Sequence, residues 1–293
     1  METMADTKIA LLGLGLMGTG MAGRLLGAGY ALTVYNRSAE KAQALVKQGA
    51  KAASTPAEAA AGAEIVISML ADDDVCRQVW LGASGALAAA LAGAVLVECS
   101  TVTPAWIEEL DRAARARSLE LIDAPVTGSR MQAAAGQLLF LAGGSEEVIG
   151  RLTPVLQTMS RGIVHVGPIG SGARLKLINN FLCGVQAASL AEAMGLIERS
   201  GLDREQALRV LAEGAPGSPL LKTLSGRMTS HEYEPQFAAK LMAKDLRYAV
   251  AEGKQHAQLL ATGAAALGVF EGAIGAGYGE KDMSSVVEQF RKL

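Results

Sequence analysis

The chain has 293 residues, half of them hydrophobic and 19% charged, with a formal net charge of -2. That length accommodates two domains and a sizeable core, and the near-neutral balance offers no electrostatic footprint for nucleic acid or an anionic membrane. No apolar run reaches the roughly 18 uninterrupted residues of a membrane span, and Met1–Asp6 is short and acidic, unlike a signal peptide.

The first element is the apolar strand Ile9–Leu12, followed by Gly13-Leu14-Gly15-Leu16-Met17-Gly18 and an apolar helical pattern. Strand, Gly-x-Gly-x-x-Gly turn and helix form a dinucleotide site. The first glycine permits the tight turn, the second admits a pyrophosphate against the backbone, and the third lets the helix pack closely. The helix N-terminus then offers N–H groups and a positive dipole end to the phosphates. A glycine-rich turn without a ligand is the bland alternative, and the strand–turn–helix context argues against it. Leu32–Tyr35 follows as a strand and ends at Asn36-Arg37-Ser38. An NAD site places Asp or Glu about twenty residues past the glycines, on the ribose hydroxyls. Here Asn36 carries no charge to repel a phosphate, Arg37 can pair with a 2′-phosphate, and Ser38 can donate to it. This favours NADP(H), with NAD(H) as the alternative cofactor. Ser38 also reads as the N-cap of a helix over Ala39–Gln48.

Further strands are expected at Ile65–Met69, Val95–Glu98, Glu120–Asp123, Gln137–Ala142 and Ile163–Val166, with helices at Pro56–Ala61, Asp74–Trp80 and Ala105–Ser118. Alternating βα units predict an α/β fold: a doubly wound, Rossmann-type parallel sheet with ligand at the carboxyl ends of its strands. Met69-Leu70-Ala71 and Ser100-Thr101 occupy such ends. After Gly170-Ser171-Gly172 the pattern changes to helix throughout, starting with one long connector over Leu175–Arg199. Helices follow over Asp203–Ala212, Leu220–Thr229, Ala238–Gln258, Ala261–Gly275 and Asp282–Arg291. The expected division is therefore a dinucleotide-binding domain over 1–169 and an all-α domain over 170–293. Cys76, Cys99 and Cys183 have no metal spacing and read as buried thiols of a reducing cytoplasm.

Two segments can carry chemistry. On the connector helix, Lys176 and Asn180 stand four apart on one face, beside Asn179. A lysine among Leu175, Leu177 and Ile178 would be desolvated and suited to proton transfer; the alternative is a surface lysine on a polar stripe. In Asp123-Ala124-Pro125-Val126-Thr127-Gly128-Ser129, the Thr127 hydroxyl and the Gly128 and Ser129 N–H groups make a donor set for a carboxylate or oxyanion, or an ordinary turn. Asp123 reads as a partner for nearby backbone donors, not as a general acid. Lys244-Asp245 is a further charged pair, which in isolation reads as solvated.

Taken together these blocks resemble the β-hydroxyacid dehydrogenase family: the glycine block with Met21-Ala22, the Asp123–Ser129 block, Gly170-Ser171-Gly172 with Lys176 and Asn179-Asn180, and Phe237 with Lys244-Asp245-Leu246. The resemblance implies Lys176 as acid/base with Asn180 as its partner. It implies substrate contacts from Thr127, Gly128, Ser129, Asn179, Phe237 and Asp245. Cofactor contacts would come from Gly13–Gly18, Asn36–Ser38, Met69, Leu70, Ala71, Thr101 and Lys244, and the helical domains would pair into homodimers or homotetramers. Thr127-Gly128-Ser129 departs from the common Ser-Gly-Gly, and Leu70-Ala71-Asp72 from Leu-Pro-Asn. The run Gly128-Ser129-Arg130 to Gly136-Gln137-Leu138 is closer to glyoxylate/succinic semialdehyde reductases, and Arg130 is a candidate for a distal acid group.

The expected function is NADPH-preferring reduction of small aldehyde acids to hydroxy acids. The alternatives are 3-hydroxyisobutyrate or tartronate semialdehyde as the substrate pair, an imine reductase (disfavoured by Lys176), and a non-catalytic nucleotide-binding scaffold (disfavoured by Lys176 and the lack of a basic linker).

Overall fold

The computed structural model describes residues 7–291; the acidic Met1–Asp6 stretch lies outside the described residues. The chain divides into a unit ending at Lys176 and a second beginning at Leu177. The division falls inside the connector helix, Ser171–Ser200, where the sequence puts it at 169/170.

The first unit is built on a sheet of strands β1 Lys8–Leu12, β2 Ala31–Tyr35, β3 Lys51–Ala53, β4 Ile65–Ser68, β5 Val95–Glu98, β6 Glu120–Asp123, β7 Val126–Thr127, β8 Leu138–Gly143 and β9 Ser160–Gly167. The order β3-β2-β1-β4-β5-β6 is parallel throughout. These strands read as continuous apolar runs because both faces are covered. Ile9 and Leu11 pack with Val34, Ile67 and Val97 on one face, while Ala10 and Leu12 pack with Val66, Leu96 and Trp106 on the other.

The far edge is mixed, unlike the uniformly parallel sheet expected. β8 runs antiparallel to β6 and β7, and β9 returns parallel to β8. No crossover helix separates β6 from β7; Ala124-Pro125 interrupts one line of chain, and the Pro125 carbonyl still accepts from Leu141 N–H at 2.9 Å. β3 and β7 escape the sequence reading because each is too short to show alternation.

Helices Leu16–Gly27, Pro56–Ala60, Asp73–Leu81, Pro104–Arg115 and Glu146–Gln157 cover the sheet. Thr55, Asp72 and Thr103 cap three of them with side-chain oxygens. The helix expected over Ala39–Gln48 is instead a 3-10 turn, Ala39–Ala42, and a single α turn, Gln43–Val46; Ser38 stands at its start without a capping bond. Cys76 and Cys99 are buried as expected, whereas Cys183 is half-buried.

The second unit is helical: Arg204–Glu213, Pro219–Ser230, Ala239–Gln255 and Ala261–Ala273 follow the connector, which contributes Ala187, Ala191 and Met194 to a core with Leu224, Met242, Leu246, Phe270 and Val286. The last expected helix resolves into a 3-10 segment, Met283–Val287, and one α turn, Glu288–Arg291. By length and composition the connector would suffice to cross a membrane, but half of its most apolar stretch is buried within the protein.

The connector begins at Ser171, earlier than its apolar pattern suggests, because a buried carboxylate supplies its cap. Asp123, the last residue of β6, accepts from Gly170 N–H and Ala173 N–H, both at 2.7 Å. Burial pushes its carboxyl up to about 6, against the pull of these backbone donors and that of Gly172. The folded protein therefore holds this proton more tightly than the unfolded chain, whose ordinary value is 3.8. Asp123's contribution is complete below about pH 4 and is lost as pH rises through about 6, on the order of 3 kcal/mol in all. The expected outcome is a wild-type thermal midpoint that declines between pH 4 and 7 relative to that of Asp123→Asn. A difference that stays flat across that window would show no such coupling.

Candidate active site

The glycine turn is fixed from both sides. Gly13 N–H donates to the Tyr35 carbonyl at 2.8 Å and Leu14 N–H to Asn36 Oδ1 at 2.9 Å, while Asn36 Nδ2 donates to the Ser38 carbonyl at 3.0 Å. The Asn36 amide thus ties the turn to the end of β2. Gly13 has φ +104°, and a Cβ there would lie 2.3 Å from the Met69 carbonyl oxygen. A Cβ on Gly18 would lie 2.0 Å from the Gly13 carbonyl oxygen, so this glycine serves the turn itself more than the sheet. Gly15 differs: nothing stands within 4 Å of a Cβ built on it, and no side chain caps the helix it opens. Leu14 is buried, Met17 half-buried and Leu16 exposed. Beyond β2, Arg37 is exposed, and its guanidinium and the Ser38 hydroxyl engage nothing among the described residues.

The neighbouring strand ends are braced by a second buried acid, Glu98. Its carboxylate accepts from Ser100 N–H and Trp80 Nε1, both at 2.9 Å, and Ser100 Oγ accepts from Leu70 N–H at 2.7 Å. Asp73 accepts from Thr103 N–H at 3.0 Å and from its hydroxyl at 2.5 Å. The loops carrying Met69-Leu70-Ala71 and Ser100-Thr101 are therefore joined through side chains. Met69, Leu70 and Thr101 are half-buried and Ala71 is exposed.

In the Asp123–Ser129 block, Thr127 lies in β7 opposite Leu139, and Gly128 has φ +135°. Ser129 is committed to a capping box: its N–H donates to Gln132 Oε1 at 2.7 Å while its hydroxyl caps helix Arg130–Ala135. The donor set expected of Thr127, Gly128 and Ser129 thus has its third N–H already engaged. The spacing Ser129-x-x-Gln132 carried that signal in the sequence.

On the connector, Lys176 is half-buried and Asn180 buried. Leu175 is 37% and Ile178 50% exposed, so of the three apolar neighbours expected to desolvate Lys176 only Leu177 is buried. Successive helical residues point 100° apart, and sequence neighbours do not share a face. Within the second unit, Asn180 Nδ2 donates to Asp245 Oδ2 at 2.5 Å, and Asn179 Nδ2 to Asn180 Oδ1 at 2.9 Å. Lys244 Nζ lies 3.0 Å from Asp245 Oδ1 and 5.2 Å from the Tyr248 ring centroid. Asp245 is fully buried with one oxygen on Asn180 and the other on Lys244. The structure thus groups Asn179, Asn180, Lys244 and Asp245. Phe237, half-buried against the core of the same unit, has its N–H held by Asp282 Oδ2 at 3.1 Å.

Residues 8–167 match the family described as the NAD binding domain of 6-phosphogluconate dehydrogenase, and residues 170–290 that described as NAD-binding of NADP-dependent 3-hydroxyisobutyrate dehydrogenase. The chain is 36% identical over 290 residues to NAD-dependent L-serine dehydrogenase of Pseudomonas aeruginosa, covering 97% of each. It is 32% identical to glyoxylate/succinic semialdehyde reductase 1 of Arabidopsis thaliana, over 96% of this chain and 97% of that one. The structure of Mycobacterium tuberculosis 3-hydroxyisobutyrate dehydrogenase with L-serine superposes with a TM-score of 0.88 at 29% identity, covering 97% and 99%.

The chain belongs to the β-hydroxyacid dehydrogenase family. It is an NAD(P)-dependent oxidoreductase. A pyridine dinucleotide fits the residues present: Gly15 leaves open the space a side chain would fill, and the helix behind it has no side-chain cap to compete with a pyrophosphate. In this dehydrogenase the sequence reading missed Glu98, which braces two site loops and carries no motif of its own, and Gln132, whose signal was its spacing from Ser129. The two glycines should separate experimentally. Gly18→Ala is expected to destabilise the protein by about 1–3 kcal/mol through overpacking. Gly15→Ala should leave the thermal midpoint nearly unchanged while raising the cofactor dissociation constant at least ~10-fold, about 1.4 kcal/mol. Calorimetry and cofactor titration by fluorescence check both, and unchanged affinity in Gly15→Ala would remove the pyrophosphate role.

Proposed function

We propose that this dehydrogenase is an NADPH-preferring reductase of small aldehyde acids of the glyoxylate or succinic semialdehyde class, working reversibly with the hydroxy acid. The observation that carries the reading is the buried Asp245, which clamps Asn180 one helical turn beyond Lys176 and holds Lys244 by its other oxygen. A buried acid with one oxygen hydrogen-bonded to an amide and the other paired with an ammonium orients those polar side chains. When bound, the nicotinamide supplies a hydride to the carbonyl carbon. The Lys176 ammonium donates its proton to the alkoxide oxygen that forms, and recovers one in the reverse direction. Asn180, its Oδ1 held by Asn179 and its Nδ2 by Asp245, keeps that oxygen in register with the lysine. The Thr127 hydroxyl and the Gly128 turn take the substrate carboxylate. Ser129 supports them through its capping box instead of by direct contact.

The NADPH preference rests on the Arg37 guanidinium and the Ser38 hydroxyl, which are uncommitted among the described residues, and on Asn36, whose amide is already used to hold the glycine turn. An acid at Asn36 would place a negative charge beside the Ser38 carbonyl and lose the donor that reaches it.

Lys176→Ala is expected to lower turnover at least ~10²-fold with cofactor affinity nearly intact, read by stopped-flow NADPH oxidation against glyoxylate and succinic semialdehyde. Near wild-type turnover would refute the acid assignment. Arg37→Ala should raise the dissociation constant of NADPH more than that of NADH; equal changes in a paired titration would count against a 2′-phosphate contact.

A further inference from the structure

Asp123 is a buried acid that the mechanism does not use. Asp123 ends β6 fully buried, and its carboxylate meets the N-terminus of the connector helix: Oδ1 accepts from Gly170 N–H and Oδ2 from Ala173 N–H, both at 2.7 Å. Two glycines make room for it. A Cβ on Gly143 would lie 2.4 Å from Asp123 Oδ1, and one on Gly172 would lie 2.2 Å from the Leu141 carbonyl oxygen and 2.9 Å from Asp123 Oδ2. The first turn of the helix is therefore pressed onto the backbone of β6 and β8 with a carboxylate as the bolt. Short bonds from backbone N–H to an ionised acid are about twice as strong as neutral ones. Burying a charge is costly, so an acid here is a poor choice for stability alone.

We propose that Asp123 is a positioning residue for Lys176: by fixing both the height and the rotation of the connector's first turn, it sets where the lysine three residues beyond Ala173 presents its ammonium. A helix advances about 1.5 Å and 100° per residue, so a cap that slips by one residue swings Lys176 onto another face. Asp123 does not touch the reacting atoms; its carboxylate is occupied by the helix N–H groups. This rests on Lys176 as the acid, and the experiment separates the two claims.

The test is a cycle of Asp123→Asn, Lys176→Ala and the double variant, assayed well below each thermal midpoint with NADPH and glyoxylate or succinic semialdehyde. Asparagine keeps one accepting oxygen but turns an amide NH2 toward a backbone N–H, which loosens the cap without leaving a void. The expected result is a kcat reduced about 10- to 100-fold in Asp123→Asn, with the KM for aldehyde and the NADPH dissociation constant each within about threefold of wild type. In the Lys176→Ala background the same substitution should have no further effect, because two residues acting through one group are not additive. An unchanged kcat in Asp123→Asn overturns the positioning role while leaving the Lys176 assignment to its own variant. A full additional loss in the double variant overturns it too, since Asp123 would then act apart from Lys176. Near wild-type turnover of Lys176→Ala removes the acid assignment and this inference with it. Should Asp123→Asn fail to fold, Asp123→Ser keeps one acceptor in less volume and is carried through the same cycle, with the same outcomes deciding.

Discussion

One buried carboxylate, that of Asp123, joins the end of a central strand to the first turn of the long helix. A parallel sheet ends in a row of strand termini whose backbone groups need partners, and a long helix begins with N–H groups that also need them. Asp123 answers the second need from the end of the first element, since it terminates β6 and its carboxylate supplies the first acceptors of the connector. The glycine at 143 follows from it, because a side chain there would occupy its place, while that at 172 is required first by the Leu141 carbonyl oxygen. The helix so anchored carries Lys176 and Asn180. The end of a strand and the start of the long helix are linked through that single side chain.

The same device recurs. Glu98, one strand over, accepts from Trp80 and Ser100 and through Ser100 ties down Leu70. Asp245 holds Asn180 and Lys244 in the helical unit, and Asp282 holds Arg227, Gln236 and Phe237. Each is a buried acid whose oxygens are spent on neighbouring donors, as burial of a charge requires. Arg37, exposed, and Ser38, half-buried, are the opposite case: the guanidinium and the hydroxyl hold nothing among the described residues. Groups left uncommitted at a strand end are the ones suited to a ligand, and the committed ones shape the place where it lies.

Much of this was readable from the chain and some was not, for reasons that sit in particular residues. The glycine turn was legible because its strand–turn–helix context is local. β3 and β7 were not, since three and two residues cannot display a period. The desolvation of Lys176 was argued from its sequence neighbours, and the structure leaves Leu175 and Ile178 exposed because adjacent helical positions face different ways. Ser129 has the residue type of a ligand donor, but Gln132, three residues on, marks it as the start of a capping box.

The alternation of apolar strands and helices, the dinucleotide turn, the change to an all-helical second half and the family blocks that span both are legible in the chain alone. These are properties of short segments, set by period, glycine placement and the residue types each element tolerates. Only the tertiary structure decided which polar side chains are spent on the fold. That Asn36 braces the glycine turn, that Glu98 joins two loops, that Asp245 clamps Asn180 and that Asp123 caps a helix some fifty residues away are facts about partners distant in the chain. A carboxylate looks the same in sequence whether it meets solvent, substrate or a backbone N–H, and burial beside a particular donor is what gives it one role.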